Sequence, residues 1–284
     1  MNEALRTLGV TGSSGVLGGI VAKTLSKLGI EQRLLLRTPS KAPHLAGATV
    51  AAASYENTAR TRDALSGIGT LFMVSASESA DRLDQHRAFI DAAVASGVKH
   101  VVYTSFMAAA PDAVFTLARD HFATEEYLKS SGMAWTFLRD NFYADFMGAM
   151  VGADGAIRGP AGKGRCSIVA RADVARTAAV ILQEPSRHAG RSYDLTGPEA
   201  LSFPEIAGIL SEVGRREVSF VDETLDEAYA SRAAYQAPDW QVDAWVSTYT
   251  AIASGALEPV SGDIESITGQ APMGLRELLR STVS

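Results

Sequence analysis

The segment Thr11-Gly12-Ser13-Ser14-Gly15-Val16-Leu17-Gly18 carries the most specific chemical signal in this 284-residue sequence. Its glycines repeat as Gly-x-x-Gly-x-x-Gly between a short apolar run and an amphipathic segment, the places of a first strand and a first helix. Gly12 permits a tight turn out of the strand, Gly15 puts no Cβ in the way of a pyrophosphate, and Gly18 lets the helix pack closely on a sheet. The unpaired N–H groups and positive dipole end of that helix complete an anion site. The same spacing also occurs as a plain structural turn. Here a strand before it, a helix after it and a second strand within about thirty residues supply the context that a dinucleotide requires.

The second strand ends at Leu36, and Arg37-Thr38-Pro39-Ser40-Lys41 follows, nineteen residues beyond Gly18. A ribose with free hydroxyls calls for Asp or Glu here, whereas a guanidinium pairs a 2′-phosphate through two bonds. At about 1.5–3 kcal/mol for a hydrogen bond to a charged group, Arg37 favours NADP(H) by about 10- to 150-fold; the alternative is a solvated basic loop. The expected cofactor contacts are therefore Gly12, Ser13, Ser14, Gly15, Val16, Leu17, Gly18, Arg37 and Lys41.

Other chemistries are missing. The tyrosines stand at 55, 103, 127, 143, 193, 229, 235 and 249, none with Lys four residues later, so the Tyr-x-x-x-Lys acid of many carbonyl reductases is absent. The glycine loop has neither the Gly-x-Ser-x-Gly of a serine hydrolase nor the Gly-Lys-Ser/Thr of a Walker loop. The histidines at 44, 86, 100, 121 and 188 have no paired ligand spacing and Cys166 is the single cysteine, so no metal is expected.

These residues need a scaffold. Short apolar runs at Leu5–Val10, Arg33–Leu36, Ala48–Ala53, Thr70–Val74, His100–Tyr103 and Ala134–Leu138 read as strands buried on both faces. Between them, Gly18–Leu28, Arg82–Ser96 and Ala118–Ser130 read as helices, with Gly29, Gly97 and Gly132 at their stops. This alternation predicts an α/β fold, a Rossmann-type doubly wound parallel sheet. After Asp145 the pattern loosens, with glycines at 152, 155, 159, 162 and 164 marking entry to a smaller α+β lobe. The expected division is a nucleotide domain over 1–148 and a substrate lobe over 149–284, with a segment near 170–190 returning to the first. Within the lobe, Asp173–Gln183 reads as a helix capped by Asp173, Ser192–Leu195 as a strand, and Ser202–Val213 as a helix opened by a Ser202/Glu205 capping box.

Composition excludes more. Lys and Arg number 26 against 32 Asp and Glu, a net charge of -6, with no basic tail for nucleic acid. One cysteine cannot make an internal disulfide, and no run of about eighteen apolar residues spans a membrane. The opening Met1-Asn2-Glu3-Ala4-Leu5-Arg6 lacks the basic start and apolar stretch of a secretory leader. A cytoplasmic protein without a membrane span is expected; oligomeric state is open, a homodimer included.

The sequence resembles the NmrA-like atypical short-chain dehydrogenases, and among them the type-2 NAD(P)H:quinone oxidoreductases and triphenylmethane reductases. The resemblance rests on the glycine loop, Arg37–Lys41, Gln85-His86-Arg87, Ser96-Gly97-Val98-Lys99-His100 with Tyr103-Thr104-Ser105, His121 with Thr124-Glu125, Leu138-Arg139-Asp140-Asn141 and Trp245-Val246-Ser247-Thr248-Tyr249. It implies an NADPH-binding Rossmann domain, a small C-terminal lobe and a substrate in the cleft between them. It also implies that Ser75, Ala76 and Ser77 line the nicotinamide ribose, that Thr104 and Ser105 end the fifth strand beside the nicotinamide, and that Phe142 and Tyr143 shape the substrate pocket. The expected reaction is hydride transfer to a quinone or similar planar acceptor, whose reduced oxyanion is a stabilised phenolate needing a hydrogen-bond donor more than a dedicated acid. His121 or Asn141 is the expected donor. Plainer alternatives are a capping or surface histidine, a turn asparagine and, for Ser105, a hydroxyl bonded to backbone. A non-catalytic NADP-sensing regulator that binds a protein partner is the alternative function; a sugar-nucleotide epimerase is disfavoured by the missing Tyr-x-x-x-Lys.

Overall fold

The computed structural model describes residues 7–283; Leu5 and Arg6 of the first expected strand, and the whole opening segment read for a leader, lie outside the described residues. In chain order the first half reads β1 (Thr7–Thr11), α1 (Val16–Lys27), β2 (Gln32–Leu36), β3 (Ala48–Ala52), α2 (Ala59–Leu65), β4 (Ile68–Met73), α3 (Arg82–Ala95), β5 (His100–Phe106), α4 (Thr116–Ser130) and β6 (Ala134–Asp140). The second half continues with β7 (Ala156–Gly159), β8 (Arg165–Cys166), α5 (Arg171–Gln183), β9 (Arg191–Leu195), β10 (Leu201–Ser202), α6 (Phe203–Gly214), β11 (Ser219–Asp222), α7 (Leu225–Arg232), α8 (Asp239–Ala253), α9 (Asp263–Thr268) and α10 (Leu275–Val283).

Seven strands form one sheet in the order β3-β2-β1-β4-β5-β6-β9. β1 pairs in parallel with β2 on one side and β4 on the other, Val10 lying opposite Leu34 and Phe72; β2 with β3 and β4 with β5 are parallel too. Every residue of β5 is buried, as befits a central strand with both faces covered, while the edge strand β3 has no fully buried residue. The chain winds outward through β2 and β3, then returns to lay β4 beside β1. Strand order thus reverses between β1 and β4, and the crevice at the carboxyl ends of such strands is where α/β sheets bind ligands. The expected Rossmann-type fold is the one observed. Gly29, Gly97 and Gly132 follow the ends of α1, α3 and α4 with φ of 72°, 80° and 80°.

Contacts divide the chain into two compact units. The first comprises Met1–Ser105, Phe122–Arg139 and Val174–Tyr193; the second comprises Phe106–His121, Asp140–Asp173 and Asp194–Ser284. The core of the first gathers Ile68, Leu71, Phe89, Val101, Tyr103 and Phe137. That of the second gathers Phe106, Phe115, Ile157, Phe203, Ile206 and Tyr249.

Two features of the second half differ from the sequence expectation. Asp173 is not the cap of α5, which begins at Arg171; the Asp173 Oδ2 instead accepts from the backbone N–H of Met273 at 2.6 Å. The glycine-rich stretch after Asp145 holds two short strands, β7 paired in parallel with β11 and β8 antiparallel with β10. Strands of two to four residues are too short to show a period. The capping box does form at α6, Ser202 and Glu205 bonding each other's backbone N–H groups. Among the described residues no helix is long and apolar enough to cross a membrane.

Candidate functional site

In the first unit, the turn from β1 to α1 has the geometry its glycines demand. Gly12 sits at φ +64°, a region that disfavours side chains. A Cβ on Gly18 would fall 2.4 Å from the Gly12 carbonyl oxygen and 2.7 Å from that of Thr11, so α1 lies against the preceding turn as only glycine allows. Gly15 is the N-cap of α1, with extended backbone and no side-chain cap. Ser14, Gly15 and Val16 are exposed, Leu17 and Gly18 buried. Ser13 is buried, and among the described residues its Oγ has no hydrogen-bond partner. An orphaned hydroxyl beside a glycine-lined helix N-terminus with no acidic residue in its first turn is what a bound pyrophosphate would satisfy. Arg37 and Lys41 are both exposed, Arg37 directly after β2 and Lys41 closing a short 3-10 turn over Pro39–Lys41.

The backbone after β4 is held from four sides, all within this unit. Thr11 Oγ1 donates to the Phe72 carbonyl and accepts from the Val74 N–H at 2.8 Å, tying the end of β1 to the end of β4. The Tyr55 hydroxyl donates to the Val74 carbonyl and lies 3.0 Å from Thr11 Oγ1, its ring stacked on Phe89. Thr104 Oγ1 accepts from the Ser75 N–H at 2.8 Å. His86 Nε2 accepts from the Ala76 N–H at 2.9 Å, and Arg82 Nε donates to the Ala76 carbonyl at 2.9 Å. Because Nε2 accepts, the His86 proton sits on Nδ1, 2.8 Å from Thr124 Oγ1. Burial, reinforced by the Arg82 charge, holds the imidazole down at about 3, so it stays neutral and keeps accepting. Ser77, one residue beyond the clamp, is exposed.

At the end of β5, Ser105 is buried and its hydroxyl donates to Glu125 Oε1 at 2.6 Å. Glu125, on α4, is fully buried and is bridged by Arg139 through Nε at 2.9 Å and Nη2 at 2.6 Å. The alternative of a strand-end hydroxyl bonded to backbone is thus replaced by a side-chain pair. The phenol of Tyr103 on the same strand is pushed up by burial, which makes it a poor acid.

The remaining candidates belong to the second unit. His121 is buried, its ring 6.1 Å from that of Phe106. Phe142 is half-buried, 5.0 Å from Phe106 and 5.2 Å from Phe115 between ring centroids. Tyr143 is half-buried under the Arg171 guanidinium, and its hydroxyl donates to Asp140 Oδ2 at 2.6 Å. Asn141 does not supply the expected free donor. Its Nδ2 donates to Ser167 Oγ at 2.9 Å, the Leu257 carbonyl at 3.0 Å and Met107 Sδ at 3.3 Å, while its Oδ1 accepts from the Phe142 N–H and the Cys166 thiol. Both amide hydrogens are committed, so Asn141 is a structural node. Asp140 is the group that sequence reading overlooked here: burial pushes its carboxyl up to about 8 against the Tyr143 hydrogen bond, and among the described residues its Oδ1 has no partner.

Sequence reading also missed Tyr55, Glu125 and Arg139 as parts of the scaffold. The only signal for His86 and Glu125 was their place in the quoted motifs, since neither shows its partners along the chain.

A glycine-cradled helix N-terminus at the strand-order reversal of a parallel sheet defines a dinucleotide-binding Rossmann protein. The chain belongs to the NAD(P)H-binding family, whose model matches residues 12–185. It is 31% identical over 277 residues to quinone oxidoreductase 2 of Escherichia coli, covering 95% of this chain and 96% of that one. It is 28% identical to an NAD(P)H azoreductase of Xenophilus azovorans, with 96% of each covered. Among solved structures, an NADPH-dependent quinone oxidoreductase from Escherichia coli complexed with NADPH superposes with a TM-score of 0.88 at 30% identity, covering 98% of this chain and all of that one. The triphenylmethane reductase of a Citrobacter species complexed with NADP(H) gives 0.84 at 28% identity, with 97% of this chain and 99% of that one covered.

Proposed function

We propose that the protein is an NADPH-dependent reductase delivering hydride to a quinone or a similarly planar, electron-poor acceptor. The observation that carries this reading is the pairing of the Gly12–Gly18 cradle with Arg37, exposed at the end of β2 in a segment with no carboxylate from Arg37 to Lys41. Reduced nicotinamide, when bound, supplies the hydride; this chain's residues hold and orient it. Ser13, Ser14, Gly15 and the start of α1 take the pyrophosphate, and Arg37 with Lys41 takes the 2′-phosphate. Ser75, Ala76 and Ser77 line the ribose, on a backbone that Thr11, Tyr55, Thr104 and His86 keep in place before any ligand arrives. Preorganisation of this kind converts binding into orientation.

The acceptor class follows from the absent acid. With no Tyr-x-x-x-Lys and with Tyr103 and Tyr143 both pushed up by burial, neither tyrosine is a ready proton donor to a strongly basic alkoxide. A quinone leaves a phenolate, for which one hydrogen bond from His121 or a water suffices. Phe142 and Tyr143 are assigned to the planar acceptor. The quinone, azo and dye reductases among the relatives support the same class.

The test is the rate of NADPH oxidation by purified protein with and without a simple benzoquinone, in wild type and in Arg37→Ala. The expected result is a quinone-dependent rate that the substitution lowers mainly through a raised KM for NADPH. Binding of NADPH without stimulation by any quinone or dye would overturn the reductase reading.

A further inference from the structure

Ser105, Glu125 and Arg139 form a polar chain within the first unit that cofactor binding as described above does not explain. Glu125 is fully buried, and three hydrogen bonds converge on its carboxylate: two from Arg139, at 2.9 and 2.6 Å, and one from the Ser105 hydroxyl, at 2.6 Å. A carboxylate bridged by a guanidinium only accepts. An O–H to a carboxylate at this distance is a charge-assisted bond, about twice as strong as a neutral one. A serine hydroxyl has one hydrogen, and here it is committed to Glu125. What Ser105 retains for anything reaching the end of β5 is lone pairs.

This has a consequence for a hydroxyl placed beside a nicotinamide. The carboxamide on that ring offers a carbonyl oxygen that accepts and an NH2 that donates. A Ser105 held this way matches the NH2 and cannot serve the carbonyl without breaking a buried, charge-assisted bond. It is equally unable to donate to the oxygen of an acceptor undergoing reduction. We infer that Glu125 is a positioning residue that fixes Ser105 as a hydrogen-bond acceptor, so that the site selects a nicotinamide bearing a carboxamide N–H. The inference rests on the proposed NADPH-binding function and on the family resemblance that sets Ser105, at the end of β5, beside the nicotinamide.

The experiment compares binding of NADP+ with that of its 3-acetylpyridine analogue, in which a methyl replaces the carboxamide NH2 and the carbonyl remains. Dissociation constants come from titration calorimetry on wild type, Ser105→Ala and Glu125→Gln, with no turnover required. A neutral hydrogen bond predicts a wild-type preference for NADP+ of about 2- to 12-fold. Ser105→Ala lowers NADP+ binding to the analogue's level and leaves the analogue unchanged, so the ratio falls to one. Glu125→Gln, whose amide can donate to Ser105 and release its hydrogen, moves the ratio toward one through a residue that touches neither ligand. A general loss of packing shifts both constants together and leaves the ratio intact. Equal binding of both ligands to wild type, or equal weakening of both by Ser105→Ala, overturns the inference while the dinucleotide site stands. Binding of neither ligand to wild type overturns both readings at once.

Discussion

Asp140 makes stability depend on pH in a way one substitution exposes. Its carboxyl is 2% exposed and burial raises it to about 8, against about 3.9 in an unfolded chain. A carboxyl with a raised folded pKa binds its proton more tightly when folded. The stability it contributes is complete below about pH 4 and is lost as pH rises through about 8. Between those limits the loss is about 1.4 kcal/mol per pH unit, or roughly 4 kcal/mol between pH 4 and 7. Asp140→Asn replaces the neutral acid with a neutral isostere that ionises in neither state. Its extra N–H lacks a partner, at a cost of about 1–3 kcal/mol. The variant is therefore less stable than wild type near pH 4, and the two cross as pH rises. By pH 7 the variant is more stable by about 1–3 kcal/mol, the same linkage less the same penalty. Urea denaturation at half-unit steps from pH 4.5 to 7.5 measures this, with the m value checked for constancy. Taking the difference between the two proteins cancels every titration they share. Parallel profiles, or a difference growing toward acid, would refute the reasoning.

Other substitutions test the remaining geometry. Gly18→Ala puts a methyl against backbone that cannot rotate away; we expect about 1–3 kcal/mol of destabilisation from overpacking despite alanine's better helix propensity, with weaker NADPH binding by fluorescence titration. Arg37→Ala should weaken NADPH by about 10- to 150-fold and leave NADH unchanged, a split that competitive titration resolves. Asn141→Ala removes a buried amide with five protein partners, so a melting temperature lower by several degrees is expected, with kcat per folded molecule retained; selective loss of kcat would restore Asn141 as a donor.

Local signals were legible in the sequence. The glycine loop, Arg37 and the first six strands show themselves within a few residues, because strand, turn and helix N-terminus are contiguous and each glycine answers a local constraint. The partners of Asn141 are not local: Ser167 is 26 residues away and Leu257 is 116, so the sequence shows a polar residue near a strand end and nothing of what consumes it. Asp140 is similar, since its pKa reflects burial, which no motif encodes. The clamp on Ala76 comes from His86 and Arg82, one helical turn apart on α3. The motif containing His86 was visible, but its task was not, because hydrogen-bonding to a backbone amide leaves no pattern in residue type.

The division of the chain into its two units bears on how the protein is made. The first unit has all its segments once Tyr193 has emerged, whereas the second draws on three stretches of which the last runs to Ser284. At about 5–20 residues per second, the final roughly ninety residues take on the order of 5–20 s to synthesise. During that interval Phe106, Phe115, Ile157 and Ile168 have left the ribosome while Phe203, Ile206, Tyr249, Leu275 and Leu278, members of the same core, are still arriving. The core of the second unit is therefore the one that stays incomplete longest during synthesis, and a stop codon late in the chain removes part of that core while every segment of the first unit is present.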